Sequence, residues 1–309
     1  MRLSHYKRRG YVTEKTPIEP LAPLSRKLGG EVELYIKRDD LLPGMAGGNK
    51  TRKLDFCIAD AISEGADTLI TCGAVQSNHC RLTLAMARKE GLGCHIILEE
   101  RVKGSFHEDA SGNHLLFRLM QVDSLQVVAK GSDMKGAMES LAAKLRKEGK
   151  KPYIIPGGAS NPLGALGYAA CGAEILSQSF EMQLPFDHIV VPSGSGGTHA
   201  GMVAGMYALN SAIPITGISV SRGKEEQTRL IQGLADLTLQ KLIDEKGVPE
   251  GKVSVLDGYV GDGYSLPTAG MVEAVSLFAS LEGVLVDPVY SGKAAAGLID
   301  MVRGGYFPK

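Results

Sequence analysis

Short runs rich in Val and Ile alternate along this chain with stretches whose apolar residues recur at helical spacing. Residues 33–37, 68–72, 94–98, 125–129, 152–155, 188–191, 213–220, 253–256 and 284–286 read as strands. They lack a regular apolar–polar alternation, which fits strands covered on both faces of a parallel sheet. Amphipathic helices are expected at about 50–64, 77–90, 106–120, 133–149, 164–181, 197–210, 224–246, 268–281 and 292–303. Strand–helix alternation predicts an α/β protein with parallel sheets and right-handed crossovers. The turn-rich run PGGASNP at 156–162 is a plausible boundary, which gives two open parallel twisted sheets with helices on both faces. A (β/α)8 barrel has a similar element count and is the alternative architecture. After the last helix comes a Gly-Gly turn at 304–305. By the alternation it should feed a further strand, and a shortened chain is expected.

Charge narrows the partners. Thirty-four Lys and Arg balance thirty-four Asp and Glu, and no basic block is present, so neither nucleic acid nor a membrane surface is an expected partner. No apolar run approaches a membrane span, and no apolar core follows the basic first ten residues, so no secretory signal is expected. The five cysteines, at 57, 72, 80, 94 and 171, have no C-x-x-C spacing. They read as buried reduced thiols of a cytoplasmic protein rather than a disulfide framework or a zinc site. Glycine is the outlier, at 39 of 309 residues. It collects in loops between regular segments, which suits backbone closing on a ligand.

Three glycine- or amide-rich segments start helices. In GGNKTRK at 47–53, Asn49 precedes Lys50 at a helix start. A helix N-terminus disfavours a nearby cation, and a lysine so placed is suited to forming a Schiff base with an aldehyde. A solvated lysine in a Gly-capped turn is the other reading. In Ser193, Gly194, Ser195, Gly196, Gly197 and Thr198, between a strand and a helix, convergent N–H groups make an anion cradle. It lacks the lysine of a nucleotide P-loop, so a phosphate monoester fits better than a triphosphate; an ordinary βα turn is the alternative. In Gln76, Ser77, Asn78 and His79, one residue suffices as an N-cap, and the rest could hold a substrate carboxylate. Tyr264 and Tyr290 sit in loops after strand-like runs and could act as acids or bases or simply pack. Lys293 reads as a surface residue of a helix N-terminus. The other histidines have no ligand spacing, and no metal is expected. An amine, a phosphate cradle and carboxylate-binding amides together describe a site for pyridoxal phosphate and an amino acid.

The runs IKRDD (36–40) and GGNKTRKLDF (47–56) resemble the family of aminocyclopropane-carboxylate deaminase and D-cysteine desulfhydrase, fold type II pyridoxal-phosphate enzymes related to the tryptophan synthase β chain. The likeness continues through QSNH (76–79), IPGGASNPLGALGY, SGSGGTHAG (193–201), GDGYSLP (261–267) and LEGVLVDPVYSGKAAAGLID (281–300). It implies that Lys50 carries the cofactor, that Asn78 lies beside its phenolic oxygen, and that Ser77 and His79 flank the substrate carboxylate. It also implies that 193–198 bind the phosphate and that Tyr264 and Tyr290 are the active-site tyrosines. The family's fold would make 51–162 a small domain, with 1–50 and 163–309 forming a large cofactor-binding domain. The family usually forms homodimers.

Two departures shape the expected chemistry. The deaminases carry Glu beside the pyridine nitrogen, where this chain has Ser291, as on the desulfhydrase side. A hydroxyl disfavours cyclopropane opening and favours β-elimination of a good leaving group. Family members also continue into a strand with an H-T-G-G type motif that this chain does not reach. The leading expectation is a β-eliminating lyase on D-cysteine, yielding sulfide, pyruvate and ammonia. L-Cysteate sulfo-lyase is the alternative, to which SNPLGALGY and VAGMYALNSAIPITG are somewhat nearer. A truncated or degenerate cofactor-binding protein without turnover, or a simple anion-binding module, are the readings from other classes.

Overall fold

The structure, a computed structural model, describes residues 1–307. Pro308 and Lys309, which end the run leading towards the expected further strand, lie outside the described residues. In chain order the elements are β1 (Ile18–Pro20), α1 (Ala22–Lys27), β2 (Tyr35–Lys37), α2 (Lys50–Ser63), β3 (Thr68–Ala74), α3 (Asn78–Lys89), β4 (Gly93–Glu100), α4 (Asn113–Leu119), β5 (Ser124–Ala129) and α5 (Met134–Lys147). There follow β6 (Pro152–Ile155), α6 (Pro162–Glu181), β7 (Ile189–Ser193), α7 (Gly197–Ala208), β8 (Ile215–Ser219), α8 (Lys224–Leu242), β9 (Ser254–Leu256), α9 (Ala269–Glu282) and α10 (Ser291–Arg303). Helix starts follow local chemistry: Ser77, Asp133 and Thr268 each accept a backbone N–H three residues on, satisfying a donor the helix leaves unpaired.

The chain folds into two compact units. One comprises Leu3–Lys15 and Asp39–Gly167. Its four-stranded sheet runs β5-β4-β3-β6, all parallel. Successive residues point to opposite faces. Leu69, Ile96 and Leu98 therefore join the cluster of Leu54, Ile58, Leu82 and Phe117 from α2, α3 and α4. Their neighbours Ile70, Cys72 and Ile97 meet Met138, Ala142 and Leu145 of α5 on the other face. The segment before Lys15 is tied on by polar contacts. Arg8 pairs with Asp55 at 2.9 Å, the Tyr11 N–H donates to the same carboxylate, and the Tyr11 hydroxyl donates to Glu90 at 2.7 Å.

The other unit comprises Met1–Arg2, Thr16–Arg38 and Tyr168–Lys309. Its parallel sheet runs β7-β8-β9, and β1 and β2 form an antiparallel pair. Leu21, Leu24 and Leu34 pack with Phe278 of α9 and Ile299 of α10. All five cysteines are free and buried. Among the described residues no helix is long and apolar enough to cross a membrane.

Parallel sheets flanked by helices match the expected α/β class, and the separate sheets exclude a closed barrel. Two local expectations are corrected, and two elements are added. Residues 284–286 are not a strand: Val284 is buried in the α1, α9 and α10 cluster, and the segment pairs with no strand among the described residues. The helix expected at 106–120 is confined to Asn113–Leu119, because Gly112 preceding it takes a positive φ of 70°. Finally, β1 and α1 were not foreseen, since so short a strand followed by a Pro-containing turn gives no periodic signal.

Candidate active site

In the first unit the loop before α2 is shaped by Gly47. Its φ is +62°, and a Cβ there would lie 1.9 Å from the Asp40 carbonyl oxygen, so no side chain can replace it without moving the turn. The buried Arg81 guanidinium donates to the carbonyls of Met45 and Gly47 and fixes the same turn. Lys50 is the first residue of α2, and its Nζ donates to Asn49 Oδ1 at 3.0 Å. No acid stands in the first turn of α2, although anions are the favoured occupants there. Instead Lys50, Arg52 and Lys53 crowd it. Arg52 is neutralised by a buried bidentate pair with Asp39, at 2.8 Å for both contacts.

Lys53 is a buried lysine that the sequence reading did not single out. It is 1% exposed, and among the described residues no carboxylate pairs with it. Burial, and then repulsion from Lys50, push its ammonium well below the ordinary lysine range. The available signal was spacing: positions three apart share a helix face, so Lys53 lies on the side of α2 that carries Lys50.

The α3 start gathers the Gln76–His79 cluster. Ser77 caps the helix by accepting from the Cys80 N–H at 3.1 Å, which leaves its own proton to donate. Asn78 Oδ1 accepts from Asn113 Nδ2 at 2.8 Å, so its amide N–H groups remain to donate. The Gln76 side chain is engaged with the Ser111 carbonyl and the His114 N–H. His79 is buried. Thr71 donates its hydroxyl proton to the Ile155 carbonyl, so His79 Nε2 is the donor to Thr71 Oγ1 at 2.7 Å. That leaves Nδ1 an acceptor without a partner. Burial, together with Lys53 and Lys50, drives the ring's basicity well down, so it is neutral at physiological pH.

In the second unit Ser193–Thr198 runs from β7 into the first turn of α7. The loop is held from below by groups distant in sequence. Gln227 Nε2 donates to Ser193 Oγ and to the Gly194 carbonyl, both at 2.9 Å. Arg222 donates to the same carbonyl at 3.0 Å. Ser193 Oγ shares a 3.0 Å hydrogen bond with Nδ1 of His199, which is wholly buried with its basicity lowered to about 4. Gly194 lets Tyr290 approach: a Cβ would lie 2.7 Å from the Tyr290 ring and from its hydroxyl. Tyr264 meets Tyr290 edge-on, with centroids 5.9 Å apart. Ser291 donates its hydroxyl proton to Asp287 Oδ2 at 2.7 Å and accepts the Asp287 N–H at 2.8 Å. Its oxygen therefore keeps one lone pair to accept another donor.

Lys293 corrects the sequence reading outright. It is completely buried, not a surface residue, and its Nζ donates to the carbonyls of Val260 at 2.6 Å and Gly263 at 2.8 Å.

The structure thus gathers Asn49, Lys50 and Gln76–His79 in one unit, and the 193–198 loop, Tyr264, Tyr290 and Ser291 in the other. The first set offers an amine and amide donors at helix starts; the second offers an anion-favouring helix start and two phenols.

Comparison with known proteins gives the family. A family model described as pyridoxal-phosphate dependent enzyme matches residues 11–309. A D-cysteine desulfhydrase of Yersinia pestis (strain Pestoides F) is 42% identical over 306 residues, covering 98% of this chain and 90% of the relative. The D-cysteine desulfhydrase of Salmonella typhimurium is 42% identical over 300 residues, covering 96% and 89%. A crystal structure of an ACC deaminase homologue superposes with a TM-score of 0.88 at 36% identity, covering 99% of this chain and 90% of that one. A fungal L-serine ammonia-lyase from Rhizomucor miehei, at 20% identity and a TM-score of 0.63 over 95% of this chain and 87% of its own, shares the fold. With a match of this extent to sequences, a family model and a solved structure, the chain belongs to the ACC deaminase and D-cysteine desulfhydrase family of pyridoxal-phosphate-dependent enzymes.

Proposed function

We propose that the chain is a β-eliminating lyase that converts D-cysteine to sulfide, pyruvate and ammonia. The observation that carries this is the 42% identity to proteins named D-cysteine desulfhydrase over 98% of the chain. Ser291, in place of a carboxylate, supports it from the site's own chemistry.

The donor set fits the cofactor. Lys50 offers a primary amine to an aldehyde. The start of α7 favours a phosphate, and Gly194 keeps that loop clear of a side chain next to Tyr290. Ser291, held by Asp287, would present a neutral hydroxyl where the deaminases present a carboxylate. When bound, pyridoxal phosphate supplies the electron sink for charge developing at the substrate Cα.

The chain's residues then divide the work. Ser77 and Asn78, whose free donors are aligned with the α3 N-terminus, bind the substrate carboxylate together with the His79 backbone N–H. Gln76 holds this turn through Ser111 and His114. Lys50 removes and holds the Cα proton. As the first residue of α2, its amine sits where the helix dipole disfavours a positive charge. Asn49 orients it. Tyr264 and Tyr290 supply phenols for proton transfer to and from the leaving sulfur and shield the site from water.

The family's habit supports a homodimer, and the reduced, buried cysteines support a cytoplasmic setting. The test is equimolar sulfide and pyruvate from D-cysteine, lost in Lys50→Ala along with the visible absorbance of bound cofactor. Sulfite release from L-cysteate with D-cysteine inert would overturn the substrate, and turnover surviving in Lys50→Ala would overturn the role of Lys50.

A further inference from the structure

We infer that Lys293 is a positioning residue for Tyr264, its ammonium bracing the catalytic loop against α10. This rests on the part proposed above for Tyr264. Lys293 is the third residue of α10. A cation there opposes the helix dipole, and this one is also completely buried. Among the described residues no carboxylate compensates it. A side chain of similar length without charge, such as methionine, would avoid both costs. Among the described residues two contacts offset them, the carbonyls of Val260 and Gly263.

Those carbonyls belong to residues 257–268, the irregular connection between β9 and α9 that carries Tyr264. The connection is conformationally demanding. Its φ angles are +64° at Gly261, +147° at Gly263 and +65° at Ser265, the last a residue with a side chain. Its own backbone bonds are long: Val260 to Asp257 and Leu266 to Gly263 are both 3.3 Å. The ammonium bonds, at 2.6 and 2.8 Å, are the short ones. They grip the loop on both sides of Gly261–Asp262, and Gly263 is the immediate neighbour of Tyr264. The other end of the brace is α10, which begins directly after Tyr290. Lys293 thereby sets the edge-on spacing of the two tyrosine rings without touching either reacting group.

The test uses the full chain with Lys293→Met and Lys293→Gln, the second keeping an N–H donor. In the cofactor-free protein, Lys293→Met should raise hydrogen exchange across 257–268 about tenfold or more, leaving β7 and β8 unchanged. In the loaded enzyme, kcat for D-cysteine should fall on the order of 10²-fold, as for a misplaced catalytic group, with KM little changed. The Lys293→Met/Tyr264→Phe double variant should fall no further than Tyr264→Phe alone. Lys293→Gln should recover part of both signals. Unchanged exchange in the loop, or losses that multiply in the double variant, would overturn the inference. If Tyr264→Phe turns over at the normal rate, the assignment of Tyr264 fails and the catalytic half of the inference fails with it. The exchange measurement, made without cofactor or substrate, still decides the bracing separately.

Discussion

Acidification should weaken the unit that holds the 193–198 loop, and His199 sets a calculable part of that loss. The ring is wholly buried beneath Ser193, and burial lowers its pKa to about 4. In the unfolded chain an ordinary histidine titrates near 6.5. Above that pH neither state binds a proton at this ring, so the full stability is present. Between about 6.5 and 4 only the unfolded chain binds one, so stability falls as pH falls, and the loss levels off below about 4. The whole span corresponds to about 3 kcal/mol, of which about 2 kcal/mol is lost by pH 5. The perturbation is His199→Asn, which keeps a polar group facing Ser193 but has nothing to protonate. The variant should be less stable at pH 7, yet lose about 2 kcal/mol less than the parent between pH 7 and pH 5. Hydrogen exchange on peptides from β7, β8 and α7, measured across a urea series at each pH, reads this unit alone. The other buried histidines are common to both proteins and cancel in the difference. Equal pH dependence in parent and variant would refute the argument.

Three further outcomes are expected. Asp39→Asn breaks the buried charge pair with Arg52 and should destabilise the Lys50-bearing unit by about 3–5 kcal/mol in urea unfolding, whereas Asp39→Leu combined with Arg52→Met should cost much less. Gly194→Ala places a Cβ against the Tyr290 ring and should lower kcat/KM on the order of 10²-fold without unfolding the chain, as checked by D-cysteine kinetics and circular dichroism. Ser291→Ala removes both hydroxyl bonds to Asp287 and should lower stability by about 1 kcal/mol, with a changed visible spectrum of bound cofactor.

Much of the scaffold was legible because the signals were local. Lys50 as first residue of α2, the loop running from β7 into α7, and the Ser77 cap of α3 all follow from turn residues meeting helical periodicity. What stayed hidden was non-local or broke a rule. Gln227 and Arg222 reach Ser193 and Gly194 from about thirty residues away, and no pattern in the sequence joins them. Lys53 and Lys293 were missed because lysine is ordinarily an exposed residue, and here both are buried. The apolar run at 284–286 has strand composition, but composition does not supply a pairing partner; the core took Val284 instead.

The way the early chain is shared between the units has a consequence for synthesis. Residues 3–15 complete the unit built around Asp55 and Glu90. That unit closes its last strand at Ile155 and ends at Gly167, so all its parts are present before β7 is made. Residues 16–38 wait far longer. The Leu24 N–H finds its acceptor in Glu282, 258 positions later, and Leu21 and Leu34 are covered by α9 and α10. During synthesis residues 16–38 therefore expose an apolar segment that has no cover until α9 and α10 have been made. The unit bearing Lys50 can mature early, while the unit bearing the tyrosines joins segments made before it to segments made after it.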